Sequence, residues 1–181
     1  VERILADISN AKQQGANFIL FSDDNFTLDV KGFESLCDAI VDAGHNDIRY
    51  IIQASSTGIA SSNTLVEKMA RAGFRIVFLG IENVSEENLR LMKKGNIIEK
   101  TKLAVKRLHE HDIMIVGGMI IGNPNDKEDD IARNYEFFVD LQIDFFADQI
   151  LTPYPKTGMR DELLKDRLVT NTHDYSRYNC F

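Results

Sequence analysis

Short apolar runs alternate along this chain with amphipathic stretches, and each apolar run ends in a polar cluster. Phe18-Ile19-Leu20-Phe21 leads into Ser22-Asp23-Asp24-Asn25, and Tyr50-Ile51-Ile52 into Gln53-Ala54-Ser55-Ser56. Ile76-Val77-Phe78-Leu79 leads into Gly80-Ile81-Glu82-Asn83, and Ile113-Met114-Ile115-Val116 into Gly117-Gly118-Met119-Ile120-Ile121-Gly122-Asn123. A fifth run, Phe145 to Leu151, ends at Thr152-Pro153-Tyr154-Pro155. Runs of this length and composition predict strands. The stretch Ile113 to Ile121 reads as a strand buried on both faces.

Helical stripes fill the intervals. Val1, Ile4, Leu5, Ile8 and Ala11 predict an opening helix stopped at Gly15, and Val30, Phe33, Leu36, Cys37, Ile40 and Val41 a second, closed by Gly44. Asn63 is expected to cap a short helix carrying Leu65, Val66, Met69 and Ala70, ending at Gly73. Ser85 precedes a helix with Leu89 and Met92. Another starts near Ile98 with Leu103, Ala104, Val105 and Leu108 inward. The stretch from about Asp126 places Ile131, Tyr135, Phe138 and Leu141 on its buried side, and a short polar helix follows near Met159 to Lys165.

Strands separated by whole helices favour parallel pairing, and right-handed crossovers roll such units into an open barrel or a doubly wound sheet. Even strand spacing and a polar cluster after every strand favour the barrel. The expected fold is α/β: a partial (β/α) TIM-like barrel of parallel strands, residues 1–181 forming one domain. All five clusters then share the carboxyl-terminal rim, where ligands of such folds bind. A βα series that opens on a helix is expected to lack its first strand, which would lie upstream of Val1 and pair with the strand at Phe18.

With 181 residues, 44% hydrophobic and 27% charged, the composition is that of an ordinary globular domain. A formal net charge of −7 without a basic run argues against nucleic acid as the main partner. No apolar run approaches the roughly 20 residues of a membrane span. Two distant cysteines, Cys37 and Cys180, fit a reducing, cytoplasmic setting rather than a disulfide scaffold. Cys37 shares a core stripe and Cys180 belongs to the tail. His45 and His173 read as exposed, and His109 and His111 as helix-terminal side chains answering the dipole. Lys93 and Lys94 read as a solvated face.

The strand-end residues carry the candidate chemistry. Asp23 and Asp24 are either ligands or caps of the helix beginning near Asp29, and Glu82 either a ligand or a first-turn acid. Ser55 and Ser56 suit turns, and Gly117, Gly118 and Gly122 suit tight packing or close approach of a ligand. Three carboxylates at neighbouring strand ends also suit a divalent-metal-dependent barrel lyase. A third reading is a non-catalytic docking module.

Taken in order, Phe21-Ser22-Asp23-Asp24-Asn25-Phe26, Phe78-Leu79-Gly80-Ile81-Glu82-Asn83, Met92-Lys93-Lys94, Ile120-Ile121-Gly122-Asn123-Pro124 and Leu151-Thr152-Pro153-Tyr154-Pro155-Lys156-Thr157-Gly158 resemble the core domain of radical S-adenosylmethionine (SAM) enzymes, most closely the cobalamin-associated branch that includes the anaerobic magnesium-protoporphyrin ester cyclases. The resemblance implies a partial (β/α)6 barrel that binds SAM and a 4Fe–4S cluster and forms a 5′-deoxyadenosyl radical, an oxidoreductase-type chemistry. Cobalamin in the intact protein and a tetrapyrrole or other large apolar substrate are further implications. By position it assigns Asp23, Asp24 and Asn25 to the methionyl amino group, Gln53 and Ser55 to the site wall, and Glu82 to the ribose hydroxyls. Gly118, Ile120 and Gly122 fall on the strand approaching adenine, and Thr152 and Tyr154 on the strand whose main chain reads the adenine edge. The CxxxCxxC motif that holds the cluster is absent. The chain is therefore expected to be a fragment, inactive alone, whose cluster loop precedes Val1.

Overall fold

Backbone hydrogen bonds join five parallel strands in the order of the chain: β1 (Phe18–Leu20), β2 (Arg49–Ser55), β3 (Phe74–Glu82), β4 (Met114–Ile121) and β5 (Phe145–Ile150). The computed structural model describes residues 1–93, 95 and 97–178. Lys94 and Cys180, both weighed above, lie outside the described residues. A doubly wound sheet reverses its strand order at a switch point. This sheet does not, so right-handed crossovers carry the helices to one side and the five strands curl into a half-barrel. The α/β partial-barrel expectation holds.

The helices are α1 (Glu2–Gln13), α2 (Val30–Asp42), α3 (Ser56–Ser61), α4 (Leu65–Ala72), α5 (Glu86–Leu91), α6 (Ile98–His109), α7 (Glu128–Asp140) and α8 (Gly158–Lys165). Strand residues facing them form the core. Tyr50, Ile52 and Ala54 of β2, and Val77, Leu79 and Ile81 of β3, are buried, whereas Ile51, Gln53, Ser55, Ile76, Phe78 and Gly80 between them stay partly open. Fully burying each isoleucine, leucine or valine side chain contributes roughly 1.5–3 kcal/mol. Phe33, Tyr50 and Phe74 anchor one end of this layer, with Phe74 5.1 Å from both other ring centres. Gly73 ends α4 at φ +98°, where a Cβ would stand 2.4 Å from the Ile48 carbonyl oxygen.

Several local expectations are corrected. β2, β3 and β4 run past their apolar cores, so Gln53–Ser55, Gly80–Glu82 and Gly117–Ile121 belong to the strands rather than to loops. The ladder is made by backbone groups, so polar residues and glycines can extend a parallel pair that apolar residues anchor. β4 is buried chiefly on its helix side, with Met114 exposed. α3 follows β2 without a break, because Ser55 Oγ accepts from Gly58 N at 3.1 Å and starts a helix that no apolar stripe announces. Ser62, not Asn63, serves α4, its Oγ accepting from Leu65 N at 3.2 Å. Asn63 instead accepts from Arg107, whose guanidinium also donates to the carbonyls of Ile59, Ala60 and Ser62 at 3.2, 2.8 and 2.7 Å. Leu103 is exposed rather than inward, and His45 is partly buried rather than exposed. His109 meets Asp144 at 3.3 Å. Among the described residues no helix is long and apolar enough to cross a membrane.

Candidate functional site

At the carboxyl ends of β1, β2 and β3 a cleft of about 160 Å³ is lined by Asp24, Asn25, Gln53, Ser55, Phe78 and Glu82 with the backbone of Ala54 and Gly80 between them. Strand register builds it: Gln53 pairs with Phe78 and Ser55 with Gly80, so side chains of one parity from both strands face the same opening. The loop after β1 is stapled to this floor. Thr27, itself buried, donates its hydroxyl to Asn25 Oδ1 at 2.8 Å and lies 3.1 Å from Ser55 Oγ. Asn25 also accepts from Thr27 N at 3.0 Å. The capping roles weighed for Asp23 and Asp24 fall elsewhere, since Asp29 caps α2 through Gly32 N and Asn25 caps the single turn at Phe26–Leu28.

Glu82 carries the least ordinary backbone of the cleft. Its φ is +69°, and Asn83 N donates to the Ile81 carbonyl at 2.9 Å, so Glu82 is the central residue of a positive-φ γ-turn. A non-glycine residue held this way costs of order 1–3 kcal/mol and persists only where its surroundings enforce it. The turn coincides with a register shift against β4, where Gly80 faces Gly118 and Glu82 faces Met119. The carboxylate folds back over the strand, and a Cβ on Gly80 would sit 2.8 Å from Glu82 Oε1. Ser85, rather than Glu82, caps α5 by accepting from Asn88 N at 3.4 Å.

The remaining predicted residues distribute around the same rim, because all of them follow or end parallel strands. Asp23 stands beside the cleft and faces a separate groove with Ile4, Ile8 and Phe21. Gly118 lies opposite Gly80, and the Ile120 carbonyl accepts from Asn83 Nδ2 at 3.2 Å. Gly122 follows β4 at φ +80°. Thr152 lines a second cleft of about 370 Å³ with Leu168, Asn171, Arg177 and Tyr178, and the Tyr154 ring lies 6.5 Å from that of Tyr178. A larger cavity, about 490 Å³, lies between α5, the loop after β4 and α8. Helix side chains supply its acids, so it offers no convergence of strand ends. The smaller cleft, where strand ends converge, is the candidate site.

Sequence reasoning missed Thr27, Gly58 and the buried amides. Asn25-x-Thr27 is an Asx-turn spacing that announces the staple. Asn83, Asn88, Asn123 and Asn134 are all buried, a density of amides that points to a hydrogen-bonded network. Among the described residues no group of three or more His, Cys, Asp or Glu is arranged to hold a metal ion. Asp23, Asp24 and Glu82 therefore do not form the carboxylate set of a metal-dependent lyase. Cys37 is fully buried on α2 and its thiol is pushed up to about 12 by desolvation. Among the described residues the donors do not fit an iron–sulfur cluster. The cleft does fit a polar organic group, since two carboxylates, two amides and a hydroxyl converge on it.

A family model for the radical SAM superfamily matches residues 1–138. Among curated proteins, the chain is 28% identical over 162 residues to bacteriochlorophyllide d C-12(1)-methyltransferase of Chlorobaculum tepidum, covering 89% of this chain and 34% of that protein. It is 26% identical over 168 residues to anaerobic magnesium-protoporphyrin IX monomethyl ester cyclase of Cereibacter sphaeroides, covering 92% and 27%. The chain thus spans about a third of the length of the curated relatives it matches. Among solved structures, the radical S-adenosylmethionine methyltransferase TsrM of Kitasatospora setae, with cobalamin and a 4Fe–4S cluster bound, superposes with a TM-score of 0.81 at 20% identity, over 93% of this chain and 34% of that one. The fold agrees over that span, and by the family match the chain belongs to the radical SAM superfamily.

Proposed function

We propose that this segment is the SAM-binding half-barrel of a radical SAM enzyme acting on a tetrapyrrole or another large apolar substrate. One observation carries the reading: Asp24, Asn25, Gln53, Ser55 and Glu82 converge in a single cleft at the carboxyl ends of adjacent parallel strands. Asp24 offers a carboxylate to the methionyl ammonium, a charge-assisted pair. Glu82 accepts from the ribose hydroxyls. The backbone of Gly118, Ile120 and Gly122 lies next along the rim for the adenine, with Thr152 and Tyr154 beyond it and Asp23 beside the ammonium end. A cleft of about 160 Å³ is smaller than the roughly 300 Å³ at which small-molecule pockets begin. It would hold the polar end of SAM while the rest spreads along β4 and β5.

Bound SAM supplies a carbon-centred radical when an iron–sulfur cluster reduces it. The chain's own residues orient the sulfonium compound and shield it from water. Three cluster thiolates cannot come from a sequence with Cys37 in its core and Cys180 as its other cysteine. We therefore assign the cluster loop, and cobalamin if the intact protein uses it, to parts of the protein outside this segment. The substrate class rests on the names of relatives, which include bacteriochlorophyllide methyltransferases, magnesium-protoporphyrin cyclases and a hopanoid methylase.

Calorimetric titration of the intact protein with SAM tests the site. Asp24→Asn and Glu82→Gln are each expected to weaken binding about tenfold, the scale of one hydrogen bond to a charged group. Unchanged affinity in both variants would overturn the reading.

A further inference from the structure

We infer that Asn83 is a positioning residue for Glu82: its buried side chain enforces the γ-turn that aims the carboxylate into the cleft. Asn83 is 1% exposed. Its Nδ2 donates to the Ile120 carbonyl on β4 at 3.2 Å, and its Oδ1 accepts from Ser85 N at 2.8 Å and from Asn88 Nδ2 at 3.3 Å. Asn88 in turn donates to Asp126 Oδ1 at 2.7 Å, and Asp126 Oδ2 accepts from Asn123 N at 2.8 Å. The residue directly after Glu82 is thereby tied to β4, to the start of α5 and to the loop after β4.

The tie falls where the β3–β4 ladder shifts register. Ile120 there receives a side-chain amide proton in place of a backbone one. Only a group that donates and accepts at once fills this position. Aspartate lacks the donor, and serine is too short to span both partners. Asn83 N meanwhile closes the turn onto the Ile81 carbonyl at 2.9 Å. Held from both its backbone and its side chain, Asn83 leaves Glu82 no route back to extended geometry, and the carboxylate stays over Gly80.

The consequence for ligand binding rests on the reading of the cleft as a SAM site, whereas the clamp itself does not. Two double-mutant cycles in the intact protein separate them. In the first, read by thermal unfolding, Glu82→Gly removes the penalty of a positive φ. The change in Tm on this substitution is expected to be more favourable by about 2 °C or more with Asn83 present than with Asn83→Ala, coupling of the size seen between neighbouring residues. Equal changes in both backgrounds overturn the clamp. Asn83→Ser carries the same cycle if Asn83→Ala does not fold.

The second cycle titrates S-adenosylhomocysteine. Asn83→Ala is expected to weaken binding about fivefold with Glu82 present and less than about twofold in the Glu82→Gln background. Equal weakening in both backgrounds would show a merely structural role and overturn the positioning claim. If Glu82→Gln alone leaves binding unchanged, the ligand reading fails while the unfolding cycle still decides the clamp.

Discussion

A Cβ on Gly118 would stand 2.9 Å from both Cε1 and Cζ of the Phe78 ring, so on the open face of the sheet these neighbours fit only as glycine and ring. Phe78 also lines the cleft, wedged between β4 and Gln53 of β2. Gly118→Ala is expected to cost about 1–3 kcal/mol, the usual penalty for overpacking a site that cannot yield. Urea unfolding measures it, and Phe78→Leu in the same chain should recover part of the loss. A neutral Gly118→Ala would mean that the ring moves freely.

Arg107 holds three carbonyls and Asn63 from a single guanidinium and so locks α6 to the α3–α4 connection. Replacing it with methionine keeps the apolar stem and leaves those acceptors without their donor. A loss of about 2 kcal/mol or more is expected from denaturant unfolding, since hydrogen bonds to charged groups contribute roughly 1.5–3 kcal/mol each and do not add fully.

Glu34 ties α2 to the start of α4. Its carboxyl is held below the usual value of 4.5, first by the Ser62 hydroxyl and then by the Thr64 hydroxyl and Lys68. A depressed folded-state value contributes stability that is present above pH ~4.5 and disappears as pH falls through the folded value. Glu34→Gln should flatten the acid limb of a stability–pH curve below that point. A curve that keeps its full acid slope removes Glu34 from the cause.

Cys37 is fully buried, and desolvation raises its thiol to about 12. The thiolate is the reactive form, so alkylation by iodoacetamide at pH 8 should spare this cysteine in the native protein and reach it in denaturant. Peptide mass spectrometry resolves the site. Rapid labelling without denaturant would contradict the packing of α2.

Much of the architecture could be read from spacing alone. Apolar runs at βα intervals fixed the strands, and Gly15, Gly44 and Gly73 marked helix ends that all carry positive φ. The cleft was legible in part: Asp24, Asn25, Gln53, Ser55 and Glu82 do meet, because parity along parallel strands delivers them to one opening. Asp23 did not join them, since one residue along the loop after β1 turns the chain toward α1. Thr152 lines a different cleft beyond β5, and the Tyr154 ring lies near Tyr178 of that cleft's wall. What remained hidden was polar and tertiary. Helix α3 has no apolar stripe and begins through a serine cap, and Leu103 satisfies helical periodicity while α6 turns it outward. The asparagine network gave little local signal beyond the Asn83-x-Ser85 turn, because its other ties run from Asn83 to Ile120, from Asn134 to Val84 and from Asn88 to Asp126.

The one-residue alternation of β2 separates two tasks that sit side by side in sequence. Ile52 and Ala54 support the helical layer, while Gln53 and Ser55 furnish the opening. Substitutions at every second position therefore alter the cleft while leaving the packing beneath in place. Deleting a single residue between Arg49 and Gln53 would exchange the two sets, burying amide and hydroxyl while turning isoleucine into the cleft. Tolerance to substitution and intolerance to length change are thus written into the same seven residues.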